Sequence, residues 1–179
     1  MVHAHRRRRG QQGFIAAYLI AAIGLFTVVA YAMSQMYDAN AEARWIKQQT
    51  DVLYEQTQLI RKQIIGCGTK YPDGNNGDLT AIEDYRKYPR TWADLAYVEC
   101  PGAPTGQQGL FVGKDGVFLK QLPADFGGWS YLNNGFGIRV SLRAGTPRGL
   151  QALTRTAERL GPNEASRSGD VFTFIVANP

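Results

Sequence analysis

Cys67 and Cys100 are the only cysteines in the chain, and its two histidines, His3 and His5, both precede them. Zinc ligation needs further thiolate or imidazole partners and Cys/His catalysis needs an imidazole; no histidine follows His5, so neither chemistry has its residues. Neither cysteine belongs to a Cys-x-x-Cys pair. Disulfide formation is left to them, provided they reach an oxidising compartment. Asp73, Asn75 and Asp78 could gather around calcium, but the EF-hand pattern wants glycine where Asp78 stands and a terminal glutamate further on. Turn chemistry is the expected role of that cluster, so no cofactor is expected beyond this weak calcium candidate. Asp115 and Asp125 read as turn residues rather than an acid/base pair. With no Gly-x-Ser-x-Gly, Walker A loop or metal cluster, no catalytic or metal-binding residue is expected. Trp92, Trp129 and Tyr131 have the types to line a ligand surface, but they are expected as core or sheet-face aromatics.

The element that must position everything else begins with Arg6-Arg7-Arg8-Arg9-Gly10-Gln11-Gln12-Gly13-Phe14 and an apolar run from Phe14 to Met33. No charged residue falls between Arg9 and Asp38. At a rise of about 1.5 Å per residue, a helix of this length spans the roughly 30 Å hydrocarbon core of a bilayer. The preceding arginines hold the N-terminus in the cytoplasm and place the residues after Asp38 on the far side. There Cys67 and Cys100 are expected to pair. A cleaved signal peptide has a shorter apolar core and a small-x-small site, and this run merges into more helix without a break. A plain single-pass anchor stays open.

The formal net charge of +5 speaks of topology. Without the first 13 residues, 16 Lys and Arg face 15 Asp and Glu, so the remainder is close to neutral and carries no compositional nucleic-acid footprint. Nucleic acid as a partner is left open, because clustering in space is not visible in composition.

Between Phe14 and Ile65 there is no proline and Gly24 is the only glycine, so nothing local ends the helix. Its second part is amphipathic. Trp45, Val52 and Leu59 recur at one interval, Ile46, Leu53 and Ile60 lie beside them, and Ile64 extends the stripe. Gly66 and Gly68 around Cys67 predict a stop. Residues 69–108 are rich in proline and glycine, with short helical pieces expected at Thr80–Arg86 and Thr91–Tyr97, each with Thr as N-cap. Asp115-Gly116 between 109–113 and 117–120 predicts one hairpin, and Asn133-Asn134-Gly135 between 128–132 and 136–143 a second. Ile138, Val140 and Leu142 alternate with Arg139, Ser141 and Arg143, the pattern of an antiparallel sheet with one buried face. A helix is expected from Pro147 to Gly161, then polar turn material over 163–169, then a strand over 171–177 with Phe172, Phe174 and Val176 on one face.

A short basic leader ending in Gly13, an immediate Phe14, an apolar helix and its amphipathic continuation resemble a type IV prepilin, the precursor of pilins and of type II secretion pseudopilins. The resemblance covers about the first third of the chain, and the element order supports it. It implies an α+β fold: a long N-terminal helix, membrane-spanning in its first half, packed on a small antiparallel sheet head. The parts would be a leader (1–13), the transmembrane half (14–33) and amphipathic half (34–65) of the helix, a connecting αβ-loop (66–108), and the sheet with one more helix (109–179). It implies cleavage by a prepilin peptidase between Gly13 and Phe14, methylation of Phe14, and assembly with other pilin subunits through the N-terminal helix at an inner-membrane platform. The sheet-bearing domain would lie in the periplasm and then on a pilus or pseudopilus. The family usually carries glutamate at the fifth residue after the cut; Tyr18 stands here. A phenol is neutral at physiological pH and cannot offset the charged amine of a neighbouring subunit, although its hydroxyl can accept a hydrogen bond from it. Tyr18 therefore points either to a minor subunit at the tip or to a filament that neutralises the amine by another scheme. The expectation is a non-enzymatic structural subunit; the alternatives are a type II secretion pseudopilin or a membrane-anchored periplasmic binding module.

Overall fold

The computed structural model describes residues 8–79, 83–111, 118–134 and 137–177, with side chains from residue 16 onward. The fold is α+β. Helix α1 spans Arg8–Lys70, and the chain divides into two compact units, 1–44 and 45–179. In the first unit α1 stays helical past residue 34, and every residue from 16 to 44 is exposed. The Thr27 hydroxyl bonds the Gly24 carbonyl at 2.8 Å, so the one β-hydroxyl in the apolar run is satisfied within its own helix.

In the second unit α1 turns one stripe into the core. Ile46, Leu53, Ile60 and Ile64 are buried, while Trp45 is partly buried against the same cluster. The stripe also holds four buried polar residues, Gln49, Thr50, Gln56 and Thr57. Thr50 and Thr57 bond back to the helix carbonyls of Ile46 (2.8 Å) and Tyr54 (2.7 Å). Gln56 Oε1 accepts from the Trp129 indole at 2.7 Å, and its Nε2 donates to the Lys120 carbonyl at 2.6 Å. The donors of Thr50, Thr57 and Gln56 therefore find acceptors, which makes these polar positions tolerable in a core.

Four strands follow: β1 (Ser130–Asn134), β2 (Gly137–Arg143), β3 (Ala165–Ser168) and β4 (Val171–Ala177), in the order β1-β2-β4-β3, each pair antiparallel. The alternation read in the sequence holds on β2 and β4: Ile138, Val140, Leu142, Phe172, Phe174 and Val176 are buried. Trp129 stands edge-on to Phe174 at 5.8 Å, joining the sheet face to Gln56 of α1. Helix α2 (Pro147–Leu160) lies between the two hairpins in sequence, capped by Thr146, whose hydroxyl accepts from Gly149 N. Arg148 sits over the Trp45 ring at 4.5 Å, and Arg159 over Tyr54 at 3.9 Å while its guanidinium reaches Asp51 at 2.7 Å.

Several sequence expectations need correction. α1 does not stop at Gly66–Gly68 but continues to Lys70. Gly68 serves close approach instead, since a Cβ there would lie 2.5 Å from the Tyr88 ring. The helix expected over Thr80–Arg86 is a 3-10 turn at Glu83–Tyr85, with residues 80–82 outside the described set. That expected over Thr91–Tyr97 shrinks to a 3-10 turn at Leu95–Tyr97. Asp94 caps it because Thr91 is spent on β1, where its hydroxyl exchanges bonds with Asn133. Most of the first expected hairpin, residues 112–117 with its Asp115-Gly116 turn, lies outside the described residues; of the rest, Gly109 forms an isolated bridge to Glu99 and Phe118 is a bridge residue. The second hairpin has Asn133 and Asn134 in strand β1, paired with Ile138 and Gly137, so they are not turn residues. Residues 165–168, expected as turn, form the edge strand β3. Only Ala165 of it is buried, so it shows no alternation to read.

Candidate functional site

Two regions carry the residues singled out above. In the first unit, the Gly13 and Phe14 backbone is helical within α1, while their side chains lie outside the described set. Tyr18 is 66% exposed. Around it Ile20, Ile23, Phe26, Val29, Tyr31 and Met33 are exposed on every side of the helix. A helix that is apolar all round belongs in lipid or among other helices. Among the described residues one helix is long and apolar enough to cross a membrane, and its apolar window has no residue buried inside the protein.

The second region lies in the second unit, around the Cys67–Cys100 disulfide. The two Cα atoms stand 5.7 Å apart, and Cys67 and Cys100 pack with Ala103 in a small core of their own. The bridge ties the last turns of α1 to a ribbon in which Cys100 N donates to Gln108 O (2.7 Å) and Leu110 N to Val98 O (3.2 Å). The facing loop is tied just as closely. Gly77 N donates to Asn75 Oδ1, Asp78 N to Asn76 Oδ1, and Asn76 Nδ2 to Tyr88 O. Gly74 lies so near Pro101 that a Cβ would come within 2.4 Å of its carbonyl oxygen. Asp78 is buried, with its carboxylate 4.0 Å from Arg90 Nε, and the Asn75 oxygen is spent on Gly77. Of Asp73, Asn75 and Asp78, Asn75 holds a turn through its bond from Gly77 N, and Asp78 faces Arg90; among the described residues no group of three or more His, Cys, Asp or Glu that could hold a metal ion occurs.

The segment 90–97 forms the third side. Trp92 pairs with Tyr131 in an antiparallel bridge, Tyr131 N donating to Trp92 O at 3.1 Å, and Leu95 N donates to Trp129 O at 2.8 Å. Asn133, buried on β1, donates its side-chain amide to Tyr85 O (3.0 Å) and Pro89 O (2.9 Å), and the Tyr131 hydroxyl also reaches Pro89 O. Burial, then the neighbouring Tyr88, pushes the Tyr131 hydroxyl well above the usual phenol range, so it stays a donor at any physiological pH. Between these walls is a concave cavity of about 610 Å³. Its lining includes Asn75, Arg90, Trp92, Tyr97, Glu99 and Gln108.

Trp129 and Tyr131 are core aromatics, as expected, but Trp92 is not: its indole is 53% exposed at the cavity, and Tyr97 is 69% exposed beside it. The sequence held one signal of this. Both fall in the loop-rich stretch 69–108, where no apolar periodicity supplies a face to bury them. Asp125, read as a turn residue, has a further task. Arg148 bonds both its carboxylate oxygens (2.7 and 3.0 Å) and Thr146 donates at 2.6 Å, so its carboxyl lies below the usual carboxylate range.

No family model, curated protein or solved structure matches this chain.

Proposed function

We propose that the chain is a structural subunit of a type IV pilus-like filament, cleaved after Gly13 and methylated on Phe14, and placed at a minor or tip position. The observation that supports this reading best is the uninterrupted exposure of the apolar run of α1 from residue 16 to Met33. Such a surface is stable only where water is excluded, first among lipid tails and then among like helices of a filament. Transfer between those two settings changes the apolar environment little, and the sheet-bearing unit remains in water throughout. The chain acts without catalysis, and the work of assembly comes from a separate cytoplasmic ATPase at the inner-membrane platform. Tyr18 favours the tip, because a subunit with no further neighbour needs no carboxylate to offset an incoming amine.

The test is recovery in filaments. In bacteria that display pili, the chain should appear in sheared surface filaments as a minor component, and a Gly13→Leu variant should stay in the membrane fraction. Retention of the unaltered chain in the membranes of piliated cells would overturn the filament role and favour a pseudopilin or an anchored periplasmic module.

A further inference from the structure

We infer that the cavity beside the Cys67–Cys100 bridge is a carbohydrate-binding site, with Trp92 as its stacking platform and a neutral oligosaccharide of two or three residues as its ligand. A half-exposed indole is costly to keep in water, and nothing in the backbone demands tryptophan at this position. Residue 92 is anchored by its own main-chain atoms in the bridge to Tyr131 and by the bonds of the neighbouring Thr91 hydroxyl to Asn133. Any side chain would serve that purpose, so the indole is left over for another use. Tyr97 adds a second exposed ring.

The polar rim decides the ligand class. Gln108 is an amide that both donates and accepts, Asn75 offers its amide N–H groups, and Arg90 and Glu99 contribute one cation and one anion. Hydroxyl groups of a sugar match such a mixed rim, while the apolar C–H face of a pyranose lies flat on an aromatic ring. Single-stranded nucleic acid also stacks on aromatics, but it calls for a groove of excess positive charge. Here the lining charges cancel, and the buried carboxylate of Asp78 stands beside Arg90. The walls are fixed by a disulfide, by side-chain bonds of Asn75 and Asn76, and by the pairing of Trp92 with the sheet edge. A site formed in advance spends little affinity on ordering. The inference is independent of leader processing and of filament assembly.

The experiment uses the full chain in a detergent without a sugar headgroup, followed by ligand-observed saturation-transfer NMR. Maltotriose, cellotriose and triacetylchitotriose are titrated separately, with a ten-nucleotide thymidine strand in a parallel arm. At least one trisaccharide should bind saturably in the millimolar range or tighter. Trp92→Ala should weaken it tenfold or more, and Trp92→Phe, which keeps a ring face, should stay within about threefold of the unaltered chain. Unchanged circular dichroism and thermal midpoint would show that Trp92→Ala is folded; if it is not, Tyr97→Ala is read in its place, with several-fold weakening expected. The inference is overturned by no saturable binding of any trisaccharide, by unchanged affinity in the folded variant, or by a thymidine strand that binds more tightly than the sugars.

Discussion

Reducing the Cys67–Cys100 bridge while leaving both sulfurs in place isolates what the crosslink contributes. The bridge closes a loop of 33 residues in sequence separation. In the chain-entropy treatment, crosslinking a loop of that length removes about 12.5 cal/mol/K from the unfolded ensemble, worth about 3.7 kcal/mol at 25 °C. For a folded unit covering 45–179, each kcal/mol corresponds to roughly 3–4 °C in midpoint, so reduction should lower it by about 13 °C. Replacing both cysteines by alanine should cost about 1–2 kcal/mol more, because Cys67 and Cys100 are buried and their sulfurs fill the small core with Ala103. Thermal unfolding of the full chain, followed by near-UV circular dichroism, gives all three midpoints. A reduced protein within about 3 °C of the oxidised one would refute the reasoning, since the loop would then be held by its hydrogen bonds alone.

The remaining expectations rest on packing and charge elsewhere. Gly66→Ala enters open space and should gain up to about 1 kcal/mol of helix stability, whereas Gly68→Ala meets the Tyr88 ring and should lose about 1–2 kcal/mol net; urea midpoints that move together would contradict this. Gln56→Leu strands the Trp129 indole N–H and the Lys120 carbonyl, a cost of about 1–3 kcal/mol by denaturant titration; a variant as stable as the parent would show that water replaces the amide. Because the folded Asp125 carboxyl lies below its ordinary value of 3.8, the stabilisation from Arg148 and Thr146 is complete above that value and is lost as pH falls beneath it. The thermal midpoint should therefore fall as pH drops below Asp125's ordinary value of 3.8, and fall less steeply in Asp125→Asn, with parallel pH profiles as the contradicting result.

The large elements were legible because their signals are local and repetitive. A breaker-free stretch from Phe14 to Ile65 declared α1, and period-two alternation declared β2 and β4. What escaped was set by tertiary partners. β3 is an edge strand paired on one side only, so three of its four residues are exposed and polar residues suffice. Gln56 sits in the buried stripe because an indole and a carbonyl across the core complete its bonds, and neither partner is near in sequence. Thr91 was free to cap a helix until Asn133 claimed its hydroxyl, which moved the cap to Asp94. In the candidate sites, the pairing of Cys67 with Cys100 was readable from compartment and count. The exposure of Trp92 was not, because it depends on the sheet edge that pairs with its backbone and leaves its side chain outside.

The filament reading stands or falls with the peptide bond between Gly13 and Phe14. Mass spectrometry of the chain extracted from membranes of cells that possess a prepilin peptidase should find its N-terminus at methylated Phe14. Residues 1–13 still attached in those cells would contradict it.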